Sequence, residues 1–211
     1  MTQGIENRIA QGALAKRSAA YASEVRRLLD SGLELMRAGG TGSRPRVSDI
    51  VAHAGLSNDA FYRHFPSKDA LVAAVLEEGA QRLRSYLAHQ MSKVGTPEEK
   101  VRRWVEGVLA QAADPDIAAV TRAVLWNAGG SNEGLASGHP SFNAPLAELL
   151  REPYAALGSA SPDLDATLAA HATIGLLSDR LARDARPDAA EIRHVSEFCL
   201  GVVRPARRGK R

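Results

Sequence analysis

The stretch SNDAFYRHFPSKDAL, residues 57–71, holds the side chains best suited to bind a polyanion. Phe61, Tyr62 and Phe65 are three of the chain's ten aromatic residues, and they are interleaved with basic residues. At 100° per residue on a helix, Phe61 and Phe65 share a face that can pack on a core, whereas Tyr62 and Arg63 project from the other side. Such side chains can contact phosphates and bases, so this stretch predicts nucleic-acid binding.

Two short helices with a tight turn between them present this stretch. The sequence predicts helices over residues 47–54 and 58–65, and AGLS between them supplies a glycine for the turn and Ser57 as an N-cap. In a helix-turn-helix the first helix braces the second, which enters the major groove of DNA. The positive end of the second helix dipole, at Ser57, also favours a phosphate.

Helical patterns cover most of the remaining chain, and strand patterns are nearly absent, so we predict an all-α fold. The first helix is expected from about Ser18 to Ala38. A long helix over 67–94, about 35 to 40 Å at 1.5 Å per residue, must connect two regions. Further helices are predicted over 97–112, 115–127, 143–157, 163–184 and 187–203. The predicted domains are a flexible N-terminal arm (1–17), a three-helix DNA-binding domain (18–66), a C-terminal effector-binding and dimerisation domain (67–203) and a basic tail (204–211).

Charge is distributed unevenly along the 211 residues. Residues 1–94 carry 13 basic and 9 acidic side chains, residues 95–203 carry 9 and 15, and residues 204–211 carry 5 and none. This pattern suggests that the first half meets a polyanion; the tail either attracts phosphates or is a frayed, solubilising end. A single cysteine fits a reducing compartment, and no apolar stretch reaches the roughly 20 residues of a membrane span. We therefore expect a cytoplasmic protein with no membrane partner.

The region around this helix-turn-helix resembles a known protein family. VSDIVAHAGLSNDAFYRHFPSKDALVAAVLEE is similar to the DNA-binding region of tetracycline-repressor (TetR) type transcriptional regulators, with agreement over roughly residues 20–90. The residues that match the family pattern are Val47, Asp49, Ile50, Ala54, Gly55, Ser57, Tyr62, His64, Phe65, Lys68 and Leu71. The resemblance implies a homodimer on a palindromic operator, and a C-terminal domain that dimerises and usually binds a small effector. It also implies a regulator, most simply a repressor, with no enzymatic activity and no cofactor.

The expected DNA contacts come from this resemblance together with the local chemistry. Groove-facing, phosphate-contacting or helix-start positions of the motif are occupied by Arg44, Arg46, Ser48, Ser57, Asn58, Asp59, Ala60, Tyr62, Arg63, His64 and Lys68. Three of the roles have alternatives. Asp59 either accepts a hydrogen bond from cytosine or favours the helix dipole. His64 either meets a phosphate or is a partly buried imidazole bonded to backbone, and Tyr62 either contacts DNA or only packs.

The start of the first helix of the motif departs from the family pattern. Arg46 stands where a Thr or Ser usually caps this helix. Arg46 and Arg44 can reach phosphates, and Ser48 can act as a shifted cap. Both readings can hold together. Asp59 and Ala60 also replace the Gly-Thr pair that is common in the family, and with these changes the operator sequence cannot be carried over from the family.

The last two predicted helices are apolar around most of their girth, which requires burial on two sides. A second copy of the chain, related by a two-fold axis, can cover the outer side, or both helices can be central in a monomer. The expected interface residues are Leu164, Leu168, Gly175, Ile192, Val195 and Cys199. Phe198 lies on the same last helix.

An effector pocket is expected where large or polar residues interrupt apolar faces of the second half. The candidates are Trp104, Trp126, Phe142 and His171, each of which can equally be a core residue. Glycine-rich segments at 39–43 and 129–134 lack the Gly-Lys-Ser/Thr of a phosphate loop, and no two histidines have metal-ligand spacing. The alternatives to a DNA-binding regulator are a ligand-binding helical protein whose helix-turn-helix contacts proteins, and an all-α hydrolase.

Overall fold

The computed structural model describes residues 4–128, 143–201 and 203. Within these residues the chain forms nine α-helices and no strand, which confirms the all-α fold. The helices are α1 (Ile5–Gly39), α2 (Val47–Ala54), α3 (Asn58–His64), α4 (Lys68–Met91), α5 (Pro97–Ala113), α6 (Pro115–Ala128), α7 (Ala144–Ala156), α8 (Pro162–Ala182) and α9 (Ala189–Gly201). The predicted basic tail over 204–211 lies outside the described residues.

Helices α1 to α3 enclose a small core that the first turns of α4 complete. Leu28, Ile50, Phe61 and Leu71 come from these four helices in order, and none is more than 1% exposed. Val124 of α6 packs into the same core. This N-terminal core therefore uses side chains from beyond residue 66, although the domain boundary itself stays a prediction.

A second core lies between the C-terminal half of α4 and helices α5, α7, α8 and α9. Its largest members, Trp104 and Tyr154, are fully buried together with Leu87 and Leu150. Helix α4 has 24 residues and is about 36 Å long. It contributes side chains to both cores, as expected of a helix that connects two regions. No described helix has the length and apolar character needed to cross a membrane.

The start of α1 differs from the sequence-based expectation. We expected a flexible arm over 1–17 and a helix from Ser18, but α1 begins at Ile5. That expectation rested on apolar residues at helical spacing, and the first of them, Val25, is also the first residue of α1 that packs on the N-terminal core. Residues 5–17 are rich in Ala, Gln, Lys and Arg, which favour helix without needing a core.

Candidate nucleic-acid interface

The turn between α2 and α3 is fixed by a glycine and by a side chain from α1. Gly55 has φ 62°, and its N–H donates to the Ala52 carbonyl oxygen at 3.2 Å. The Arg27 guanidinium donates to the carbonyl oxygens of Ala54 and Gly55, the latter at 3.0 Å. A Cβ at Gly55 would lie 2.9 Å from Arg27 Nη2. The position therefore needs glycine both for its backbone and for the close approach of Arg27.

Arg27 was not among the sequence-based candidates. It lies on α1, 28 residues before the glycine that it holds. No local pattern marks it, because its role depends on how α1 packs against the turn.

Helix α3 divides into a buried and an exposed face, as predicted. Phe61 and Phe65 are 0% and 8% exposed, and their ring centroids lie 5.8 Å apart. Tyr62 is 58% exposed and rests edge-on against Phe61 at 5.3 Å. The Arg63 side chain is also more than half exposed. The buried rings thus hold the helix while Tyr62 and Arg63 reach the surface.

At its start, α3 presents polar side chains next to a satisfied cap. Ser57 Oγ accepts a hydrogen bond from the Ala60 N–H at 3.1 Å, as its position predicts. Asn58 and Asp59 are exposed. Ala60 is only 3% exposed, so its methyl group belongs to the core side of the helix and not to the surface. Ala60 lies four residues before His64, whose side chain is also buried, so it shares the buried face and the expected groove contact does not fit this placement.

His64 faces the protein interior, not solvent. Its side chain is 0% exposed, and Nε2 donates to Glu24 Oε2 at 2.7 Å. The Tyr21 ring packs against the imidazole at a centroid distance of 4.2 Å. The phosphate-contacting role implied by the resemblance does not fit this placement. The alternative of a buried imidazole fits it, but the hydrogen-bond partner is a carboxylate and not the backbone.

Glu24 connects α1 to the exposed face of α3. The hydrogen bond from His64 lowers the pKa of Glu24 below its ordinary value, and the positive charge of Arg63 adds to this effect. Arg63 Nη1 lies 3.8 Å from the same carboxylate oxygen. Glu24 therefore stays ionised and helps to set the position of α3 relative to α1.

Helix α2 begins with an acidic side chain folded back on its N-terminus. Asp49 accepts hydrogen bonds from the Arg46 N–H at 3.0 Å and from Ser48 Oγ at 3.3 Å. Ser48 lies inside the first turn of α2, so it is not a shifted cap. The side chains of Arg46 and Ser48 are exposed, and Lys68 is half-buried at the start of α4.

Arg44 makes a contact that the sequence did not predict. Its guanidinium carbon lies 4.6 Å from the centre of a Trp126 ring, and Nη2 lies 3.5 Å from the Trp126 carbonyl oxygen. Arg44 thus holds the loop before α2 against the end of α6. This placement sets Arg44 apart from the other proposed DNA contacts.

Residues 28–75, from the middle of α1 into α4, match the family described as bacterial regulatory proteins, tetR family. The chain carries the N-terminal domain of the TetR family. A comparison with curated protein sequences gave no match.

Solved structures extend the TetR likeness to the whole fold. The R. erythropolis transcriptional repressor QsdR, from the TetR family, is 18% identical with a TM-score of 0.57, and the alignment covers 89% of this chain and 98% of QsdR. Reduced NemR of E. coli is 17% identical with a TM-score of 0.61 over 87% and 100% of the two chains. The fatty acid degradation regulator FadR of Bacillus halodurans is 22% identical with a TM-score of 0.55 over 84% and 94%. At these identities the likeness shows a shared fold.

In this TetR-type fold a cavity of about 830 Å³ lies between the N-terminal domain and the C-terminal helices. Helices α1, α4, α5, α6 and α8 line most of it. Apolar side chains dominate its wall and include Leu29, Leu33, Val75, Leu83, Val108, Val120, Val124, Leu125, Ile174 and Leu177. Charged or polar groups at the wall include Asp30, Arg37, Glu78, Arg82, Tyr86, Gln111, Asp114, Asp116 and Thr121. A mostly apolar cavity with a few polar groups is typical of small-molecule sites.

The three sequence-based pocket residues that the structure describes, Trp104, Trp126 and His171, do not line this cavity. Trp104 is fully buried and donates from Nε1 to the Leu146 carbonyl oxygen at 2.9 Å, so it is a core residue. Trp126 packs under Arg44, and His171 is exposed with Nδ1 2.8 Å from the Thr167 carbonyl oxygen. Phe142 lies outside the described residues. The apolar part of the cavity wall consists mainly of leucine, isoleucine and valine side chains, which the search for large or polar residues did not select.

Helices α8 and α9 expose large apolar side chains on the outside of the second core. Leu164, Leu168 and Phe198 are 58%, 52% and 57% exposed. Gly175 is also exposed, and a Cβ there would meet no atom within 4 Å. These residues form the outer face, a name used below for Leu164, Leu168, Gly175 and Phe198.

The remaining expected interface residues lie deeper. Ile192 and Val195 are half-buried against the second core. Cys199 is 0% exposed, and burial raises the pKa of its thiol. Its carbonyl oxygen accepts a hydrogen bond from the Tyr154 hydroxyl at 2.9 Å. Cys199 therefore packs α9 onto the second core, while its neighbour Phe198 supplies an exposed side chain.

Proposed function

We propose that this chain is a DNA-binding transcriptional regulator that binds a palindromic operator as a homodimer and is released by a small-molecule effector. The exposed face of α3, held rigid by Phe61 and Phe65, is the observation that carries the proposal. Tyr62, Arg63 and Asn58 lie on one short helix next to a capped, positively polarised N-terminus. Phosphate contacts set the register of such a helix, and polar side chains such as Asn58 can read base edges.

The experiment starts from DNA fragments selected by the purified protein from a random duplex library. Fluorescence anisotropy then measures affinity for the selected duplex over a range of salt concentrations. Arg46, Arg63 and Lys68 in two copies would neutralise six phosphates, so log K against log salt should have a slope of about −5. A shallow slope, or selection without a two-fold symmetric sequence, would contradict the proposal and favour a helix-turn-helix that contacts proteins.

Variants can test the surface itself. Arg63→Ala should weaken operator binding about tenfold or more and reduce the salt slope by about 1 per protomer. Lys93→Ala removes the same charge from an exposed position at the end of α4 and should leave affinity unchanged. Equal effects of the two substitutions would place the DNA elsewhere.

Dimerisation is supported by the outer face. Half-exposed Leu164, Leu168 and Phe198 lie on two helices of one domain, where a second copy related by a two-fold axis can cover them. Two such copies would hold their recognition helices at a fixed separation. A palindromic operator with half-sites about 34 Å apart is the DNA that such a pair would match.

Effector binding is supported by the position of the cavity. Leu29 and Leu33 of α1 belong to the N-terminal domain, and Ile174 and Leu177 of α8 belong to the second core, yet all four line the same space. An apolar molecule there would contact both domains. It would shift the population toward whichever arrangement of the domains it fits better, and so change operator affinity.

Gly79 allows this step to be tested. It lies on α4 at the cavity wall, and a Cβ there would meet no atom within 4 Å. Gly79→Leu should fill part of the cavity and weaken binding of the fluorescent apolar probe N-phenyl-1-naphthylamine at least tenfold, whereas Gly79→Ala should leave most of the space open. Equal binding of the probe to both variants would exclude this cavity as the effector site.

A further inference from the structure

The side chains of α1 from Ala10 to Ala20 lie open to solvent. Every side chain described between Ala10 and Ser23 is exposed, and packing against the N-terminal core begins at Val25. Most of the stability of a helix in a protein comes from packing of an apolar face, which this part of α1 lacks. A helical segment of this kind is stabilised when a surface binds along it.

The side of α1 that contacts α3 continues along the exposed segment toward the N-terminus. Tyr21 and Glu24 contact His64. At 100° per residue, Arg17 and Leu14 fall on the same side of α1 as these two residues, within an arc of about 80°. Arg17 lies about 10 Å along the helix from Glu24, at 1.5 Å per residue. The segment therefore extends outward from beside the recognition helix.

The charge of the segment is uncompensated. Residues 10–23 contain Lys16 and Arg17 and no acidic residue. Neither cation has an Asp or Glu three or four positions away. Neither makes an ion pair among the salt bridges of the described residues, whereas most arginines of the C-terminal half do. Two adjacent free cations next to a DNA-reading helix complement phosphates.

We propose that residues 10–20 are an arm that binds the phosphate backbone of DNA flanking the half-site, through Lys16 and Arg17. The arm reaches beyond the footprint of α3 and adds affinity without reading sequence. This inference rests on the proposed DNA-binding function. It predicts in addition that tight binding needs a duplex that extends past the bases recognised by α3, which DNA binding by α3 alone would not need.

The experiment compares the selected duplex with flanks of 2 and of 12 base pairs on each side. Wild type should bind the long duplex at least tenfold more tightly. Lys16→Ala with Arg17→Ala in the full chain should abolish this preference and should reduce the salt slope on the long duplex by about 1.8 per protomer. The matched control, Lys93→Ala with Arg103→Ala, removes two exposed cations of the C-terminal half and should keep the preference.

The outcomes distinguish a failure of the proposed arm from a failure of the proposed DNA-binding function. If wild type binds the short and long duplexes equally, the arm is overturned and DNA binding stands. If wild type binds no selected duplex, the proposed function and the arm both fall. If Leu14→Glu reduces the size of the DNA-free oligomer in sedimentation, the face contacts another copy of the chain, which also overturns the proposal.

Discussion

Replacing Phe198 by alanine should weaken the dimer strongly without unfolding the protomer. Phe198 is 57% exposed in one copy, so a partner can remove roughly half of its surface from water. Complete burial of such a side chain is worth about 1.5 to 3 kcal/mol, which leaves about 1 to 1.5 kcal/mol for the exposed part. A two-fold interface contains the side chain twice. Phe198→Ala should therefore cost the dimer about 2 to 3 kcal/mol, and should raise its dissociation constant about 30- to 150-fold.

Sedimentation equilibrium over a wide range of protein concentrations measures this constant directly. Ile117→Ala is the matched control, because Ile117 is a 41% exposed apolar side chain on α6, a helix that contributes no residue to the outer face. The control should dimerise like wild type, and both variants should keep the wild-type midpoint of urea unfolding when measured under monomeric conditions. A dissociation constant for Phe198→Ala within a factor of three of wild type would refute the assignment of the outer face.

Two further substitutions test local structure. Gly79→Ala should raise the free energy of unfolding in urea by about 0.5 to 1 kcal/mol, because glycine is unfavourable inside a helix and the added methyl meets no atom; a destabilised variant would contradict the open wall. Glu24→Gln should destabilise the protein at pH 7. Because His64 lowers the pKa of Glu24, the contribution of the carboxylate is complete above its ordinary value and is lost as pH falls below it. The difference between wild type and Glu24→Gln should therefore shrink below about pH 4.5, and a difference that stays constant would contradict the pairing.

The helix-turn-helix could be predicted closely because its signals are local. Gly55 ends α2, Ser57 caps α3 and Ser67 caps α4, each through contacts within three residues. The spacing of Phe61 and Phe65 also fixes which face of α3 is buried. Such signals can be recognised from a few neighbouring residues, without knowledge of the rest of the fold.

Contacts between distant segments could not be predicted in this way. His64 pairs with Glu24, 40 residues earlier, and Arg44 packs on Trp126, 82 residues later. Both were expected at DNA because their types suit phosphates, yet a carboxylate or an indole within reach competes for the same groups. Whether His64 and Arg44 contact DNA or a side chain of the protein depends on how α1 and α6 pack, and the local sequence pattern carries no information about that packing.

The cavity illustrates the same limit and also suggests how a ligand signal would reach DNA. Val120 and Val124 of α6 line the cavity, and Val124 is at the same time a buried member of the N-terminal core, which also contains Phe61. Trp126, half a turn further on, holds Arg44 before α2. A ligand that displaces α6 must therefore disturb the packing behind the recognition helix, because packed side chains leave no free space to absorb the shift. We therefore expect α6 to carry the effect of a ligand, and loosening the Arg44 contact by Trp126→Ala should weaken the response to an effector more than it weakens operator binding itself.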